Sequence, residues 1–178
     1  MWQYIGLLNL IFGAIVLAWL LTKNPRFSIK RLPLSSLASD KKTGWVFKIL
    51  LFVFSLNQTF FAIIIAEKLI TKPALIMGLF IFSGLMLMVS SIFSLKEHDK
   101  IHNYSARVSL FLVWLGVIFL AINFLAINFS VGFFLLITAI LIVPIYFLRN
   151  RMAGGLFELP LILIITAWNT VLSVYLLV

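Results

Sequence analysis

Residues 108–148 read VSLFLVWLGVIFLAINFLAINFSVGFFLLITAILIVPIYFL, 41 residues without a charge between Arg107 and Arg149. A helix that crosses about 30 Å of hydrocarbon takes about 20 apolar residues. At about 1.5 Å per residue this run amounts to about 60 Å of helix, which is two crossings rather than one. The bend falls in the local duplication Phe119-Leu-Ala-Ile-Asn-Phe-Leu-Ala-Ile-Asn-Phe-Ser130, where Asn123, Asn128 and Ser130 offer the polar groups a turn needs. Residues 108–124 and 129–148 therefore read as a helical hairpin in lipid.

The same criterion applied outward adds spans at 4–21, 45–66, 73–95 and 159–178. The expected fold is an all-α integral membrane protein, a six-transmembrane-helix bundle formed by one polytopic domain over residues 1–178. Composition agrees: of 178 residues, 63% are hydrophobic and 11% charged, with a mean hydropathy of +1.19. A soluble domain is nearer 45–50% apolar and about 25% charged, and one of this length cannot bury so much apolar surface. The absence of cysteine excludes thiol catalysis and Cys-ligated metal or iron–sulfur sites. No long internal repeat supports an inverted-repeat transporter.

The net charge of +9 suggests nucleic acid only if position is ignored. Lys23, Arg26, Lys30, Arg31, Lys41 and Lys42 precede the second span, with Lys48 one turn inside it. Lys96, Lys100 and Arg107 follow the third span, and Arg149 and Arg151 follow the fifth. These are 12 of the 14 cations; only Lys68 and Lys72 fall between spans two and three, and none falls between four and five. Basic residues concentrate in cytoplasmic loops, which predicts an N-out/C-out topology. Trp19, Trp45, Tyr104 and Tyr146 then lie at the inner interface, and Trp2, Tyr4 and Tyr175 at the outer one. Residues 1–21 lack the basic start and the small-residue cleavage site of a signal peptide, so the first helix is read as retained. The cytoplasmic loop 22–44 reads chiefly as a solvated topological anchor; in the alternative reading Leu32, Leu34 and Leu37 rest on the headgroups.

Few residues are equipped for chemistry. His98 and His102 are four apart in Lys96-Glu97-His98-Asp99-Lys100-Ile101-His102. If the fourth helix begins near Lys96 they share one face, and with Asp99 they form a minimal set for a divalent metal. A catalytic zinc wants a third strong ligand, and the chain holds no further His or Cys. Haem held by two histidines on different helices and retinal on a mid-membrane lysine both lack their residues. No cofactor is predicted, with the divalent ion as the alternative.

Polar residues inside spans are costly and point to function or to helix contacts. Span two carries Ser55, Asn57, Gln58 and Thr59; span six carries Thr166, Trp168, Asn169 and Thr170. Asn57 lies twelve residues after Trp45 and Asn169 eleven after Glu158, so both amides come about 17 Å up from the inner face. Asn57, Gln58, Trp168 and Asn169 are the candidate ligand-binding residues, with interhelical hydrogen bonding as the competing role. Glu158, at the mouth of span six, is expected to pair with Arg149 or Arg151. Gly78, Ser83, Gly84, Ser90 and Ser91 offer a small-residue stripe for close helix contact. No nucleotide-binding loop, serine-hydrolase elbow or zinc-protease motif occurs.

Two stretches also carry a resemblance. Leu34-Ser35-Ser36-Leu37-Ala38 followed by Trp45-Val46-Phe47, and Gly84–Phe93 leading to Asp99-Lys-Ile-His102-Asn103-Tyr-Ser-Ala106, resemble the small six-helix prokaryotic membrane proteins grouped as DUF998, which are similar to the DRAM/Frag family. In that pattern a Ser-Glu-Leu-Gly-like element precedes helix two and a His-x-x-x-Ala element opens helix four. Ser36 stands where Glu is usual, Ala38 where Gly is usual, and Ser94 where proline is expected. The resemblance implies six helices, carries over His102 and Ala106 as pattern positions, and implies no reaction.

The sequence thus predicts a non-enzymatic protein of a prokaryotic plasma membrane, which binds lipid or a hydrophobic ligand or serves as accessory subunit of a membrane complex. Its expected partners are membrane lipid and other membrane subunits or a second copy, not nucleic acid. The alternatives are a small-solute transporter or channel with a polar midplane site, and a lipid-acting metalloenzyme using His98, Asp99 and His102.

Overall fold

In lipid a chain must satisfy its own backbone, and helices do so within each segment. The computed structural model of the protein, which describes residues 4–67, 72–93, 98–148 and 154–177, is helical throughout its long elements. These are α1 (Ile5–Lys23), α2 (Gly44–Ala66), α3 (Pro73–Ile92), α4 (Asp99–Ile127), α5 (Phe129–Leu148) and α6 (Gly154–Leu177), with a 3-10 helix, Leu34–Ser39, between α1 and α2. Five helices are long and apolar enough to cross a membrane: α2, α3, α4, α5 and residues Leu156–Leu176 of α6; α1 contributes the shorter apolar stretch Leu10–Lys23. Large apolar side chains face outward, Phe147 at 79% and Phe129 at 66% exposure, as lipid allows and water does not. The chain is a helical, multi-pass membrane protein.

Each helix packs against its sequence neighbours, and α6 closes against α1, so the six form a ring. The main core fills that ring with Phe61, Phe80, Val117, Leu120, Phe124 and Trp168 among others. The ring turns tightest between α4 and α5, where Asn128 alone separates the two helices (φ −148°, ψ 100°). Asn128 Oδ1 accepts from the Val131 amide at 3.2 Å, and the Asn128 carbonyl accepts from Gly132 at 3.0 Å. Asn123 remains in the helix, donating to the Phe119 carbonyl at 3.0 Å. Of the polar residues expected at the bend, Asn128 makes it.

Two helices start earlier than the spans read from hydropathy. α4 begins at Asp99, not Val108, and α6 at Gly154, not Leu159. Charged residues end an apolar span without ending a helix, and nothing between Asp99 and Val108 breaks one. The shared face of His98 and His102 required a start near Lys96; α4 begins three residues later, at Asp99, which leaves His98 just before the helix.

The segment 22–44 departs furthest from expectation. Its apolar residues are not solvated: Leu34, Leu37 and Ala38 are buried and join Leu20 and Phe47 in a second core, while its six cations stay exposed. Only Leu32 of its three leucines stays exposed. Its last turn is built on Asp40, whose Oδ1 accepts from the amides of Lys42 (2.9 Å) and Thr43 (2.8 Å) and from Thr43 Oγ1 (2.8 Å). Those bonds, the Thr43 amide foremost, hold the Asp40 carboxyl below the ordinary aspartate value of 3.8. Because the folded value is depressed, this turn's contribution to stability is present above that value and is lost as the pH falls below it. The protection of the Lys42 and Thr43 amides, taken as exchange relative to the intrinsic rate at each pH, is expected to fall on acidification through this range, and Asp40→Asn to show the low protection already at neutral pH. Exchange independent of both would remove the carboxylate from the turn.

Candidate functional site

The six helices bring three of the four candidate ligand-binding residues together. Gln58 of α2, with Trp168 and Asn169 of α6, lines a narrow cleft between α2, α3, α4 and α6; Phe61, Phe80, Val117 and Leu172 complete much of the wall. The free space is about that of one water molecule. Asn57 is not part of this lining. Counting along the helices puts Asn57 level with Asn169, but each residue turns the helix by about 100°, and the next residue, Gln58, lines the cleft.

These polar side chains also tie helices to one another. Gln58 Nε2 donates to Ser83 Oγ of α3 at 2.8 Å. Ser83 Oγ lies 2.8 Å from the Ser109 carbonyl of α4, and Ser109 Oγ donates to the Ser83 carbonyl at 2.9 Å. The resulting bridge spans α2, α3 and α4 at a level where each bond is worth about 0.6–2 kcal/mol. Trp168 Nε1 donates to Thr138 Oγ1 of α5, and Trp114 Nε1 of α4 donates to the Ala139 carbonyl of α5 at 3.0 Å. Within the small-residue stripe, Ser83 and Gly84 are at contacts, since a Cβ on Gly84 would lie 2.9 Å from the Ser55 carbonyl oxygen. Gly78 is not, with nothing within 4 Å of such a Cβ.

The three candidate metal ligands are not gathered. His98 is exposed, its ring edge-on to Phe93 with centroids 5.3 Å apart. Asp99 is exposed and its Oδ1 accepts from the Lys100 amide at 2.7 Å. His102 is buried, and its Nδ1 lies 2.9 Å from the Ser90 carbonyl, 3.0 Å from the Phe93 carbonyl and 3.1 Å from Ser90 Oγ. Two carbonyl acceptors assign the proton to Nδ1. Among the described residues no group of three His, Cys, Asp or Glu side chains comes together in a way that could hold a metal ion.

The contact that sequence reasoning missed lies at the same end of the bundle. Glu158 accepts two hydrogen bonds from Ser35, one from its amide to Oε2 (3.1 Å) and one from Oγ to Oε1 (3.0 Å). Arg149 and Arg151, the partners expected for Glu158, lie outside the described residues. An acid inside an apolar helix has to find donors, and that was the available signal. Its partner, 123 positions away, carried none. A Ser35 hydroxyl bonded to a carboxylate, with no imidazole between them, lacks the order of a nucleophile and its base. The arrangement is an anchor that fastens the 3-10 helix to α6.

No curated protein and no solved structure matches this chain. Residues 9–175, nearly the whole length and every helix of the ring, match a family described as a protein of unknown function, so the chain belongs to the DUF998 family.

Proposed function

We propose that the protein is a non-enzymatic, six-span component of a prokaryotic plasma membrane that works through its outer surface, holding lipid or seating against a membrane partner. The observation that carries this reading is the narrowness of the cleft between α2, α3, α4 and α6, whose mostly apolar lining leaves room for about one water beside Gln58 and Asn169. Two of the polar side chains at the cleft are committed to neighbouring helices, Gln58 to Ser83 and Trp168 to Thr138. Large aromatic side chains face lipid instead.

The 19 residues of α1 span about 28 Å, enough for a sixth crossing with both termini outside and the basic loops in the cytoplasm. The transporter reading assigns Gln58, Asn57 and Asn169 to a path, and one assay separates the two. In proteoliposomes the chain is expected to conduct ions and small solutes no faster than lipid alone, and to emerge from mild detergent with lipid or a membrane partner bound. Flux that Gln58→Leu or Asn169→Leu abolishes would overturn the reading, as would a bare monomer carrying neither lipid nor partner.

A further inference from the structure

The 22–44 segment is tied to itself at the mouth of α1 and α2. Asn24, which follows α1, donates from Nδ2 to the Leu20 carbonyl at 2.8 Å and to Thr43 Oγ1 at 2.9 Å. Thr43, which precedes α2, is held in turn by Asp40. Lys23 and Lys42 are each one residue from this tie, and Arg26 and Lys41 are two residues from it. All four cations are exposed. The segment's single acid, Asp40, spends Oδ1 on the turn that makes the tie.

The mouth is flanked by two exposed indoles, Trp19 in the last turns of α1 and Trp45 in the first turn of α2. Tryptophan at the end of an apolar helix marks the depth of the lipid headgroups. The segment that carries the cations is docked on the bundle: Leu34 and Leu37 are buried in the second core and Ser35 is fastened to Glu158. A topology signal needs only the number of cations in a loop. This arrangement adds a fixed position, a hydrogen-bonded tie between residues 19 apart, and aromatic flanks.

We propose that the tied mouth of α1 and α2 is a binding site for the headgroup of an anionic phospholipid, received by Lys23, Arg26, Lys41 and Lys42 between Trp19 and Trp45. The proposal rests on the lipid-holding reading above and names its lipid class and place. Charge complementarity selects the occupant: clustered Lys and Arg beside a membrane-embedded helix attract anionic headgroups, and a zwitterionic headgroup offers no net charge in return.

The test titrates the purified full chain in neutral detergent with phosphatidylglycerol and, separately, with phosphatidylcholine of the same acyl chains. Bound lipid is read by native mass spectrometry, with inorganic phosphate as competitor. Phosphatidylglycerol is expected to bind at least about tenfold more tightly, with a preference that shrinks as salt rises. Combined Lys23→Gln, Lys41→Gln and Lys42→Gln should bring the ratio near one, while Lys100→Gln with Arg107→Gln, at the start of α4, should leave it. Equal affinity for the two lipids, equal loss from both variants, or complete displacement by millimolar phosphate would overturn the site. Where the triple variant does not insert, the lipid preference of the unaltered chain and its salt dependence decide. Equal retention of both lipids would remove this site and leave the broader lipid-holding reading intact, so the two fail separately.

Discussion

Gly132→Ala is expected to unfold the α4–α5 hairpin at a cost of about 3 kcal/mol or more, while Gly78→Ala leaves the protein unchanged or slightly more stable. The added atom is the same methyl group in both. On Gly132 it would press into the backbone of the preceding helix, against the Leu125 amide nitrogen, with the Phe124 carbonyl carbon at 2.7 Å and Leu125 Cα at 2.8 Å. Backbone cannot rotate aside as a side chain can, and the one-residue turn at Asn128 leaves the helices no slack. On Gly78 the methyl meets nothing within 4 Å, and alanine favours the helix by about 0.5–1 kcal/mol. Thermal unfolding of the two variants in one detergent reads the difference directly. A Gly132→Ala variant that melts with the unaltered chain would mean that the two helices do not meet at this point.

Glu158→Ala is expected to be the most disruptive change on the loop side of the bundle. It strands the Ser35 amide and hydroxyl, which now donate to the two carboxylate oxygens. Hydrogen bonds to a charged group are worth about 1.5–3 kcal/mol each, so the loss is about 3 kcal/mol and falls on the docking of the 3-10 helix. Glu158→Gln keeps one acceptor and should lose less. Ser35→Ala removes one of the two donors, and combined with Glu158→Ala it should cost less than the sum of the single changes, because the two groups share one interaction. Hydrogen exchange across residues 34–43 is the appropriate readout, since it follows the segment while the ring stays folded. Unchanged exchange in Glu158→Ala would show that Leu34 and Leu37 hold the segment without help from the carboxylate.

The helical, membrane-embedded class was legible because it depends on properties that add along the chain: apolar run length and the positions of the breaks. Asn128 could be found in this way because a turn inside 41 uncharged residues needs a polar donor or acceptor, and few are present. Where helices begin was less legible. A count of charges locates the edge of the hydrocarbon, whereas α4 continues for several residues beyond that edge with Tyr104 and Arg107 on exposed positions.

The candidate site was legible in depth and not in azimuth. Counting residues along two helices puts Asn57 and Asn169 level, but choosing between Asn57 and its neighbour Gln58 requires knowing which face of α2 meets the cleft. A helix that is apolar all round gives no periodicity from which to read that face. The docked loop failed for a related reason. Six cations outweigh three leucines in any average over residues 22–44, although Leu34 and Leu37, three apart, are what the bundle receives. His102 and Glu158 each drew notice singly, as one of two histidines and as a lone acid at a helix mouth. Nothing in the linear order shows that Ser35 lies against Glu158 or that the Ser90 and Phe93 carbonyls receive His102.

The polar residues of the interior then have a common physical role. Gln58, Ser83 and Ser109 join α2, α3 and α4; Trp168 and Thr138 join α6 to α5; Glu158 and Ser35 join α6 to the loop. In lipid, apolar contact alone does not select one helix neighbour over another, because the acyl chains are equally apolar. Hydrogen bonds placed at these levels favour the observed helix neighbours.

The most direct measurement is an experimental density map of the full chain in a lipid nanodisc, inspected in the cleft beside Gln58, Trp168 and Asn169. Closed side-chain packing is expected there, with density for no more than about one water. A continuous solvent-filled path, or density for a solute or an acyl chain between Gln58 and Asn169, would contradict it.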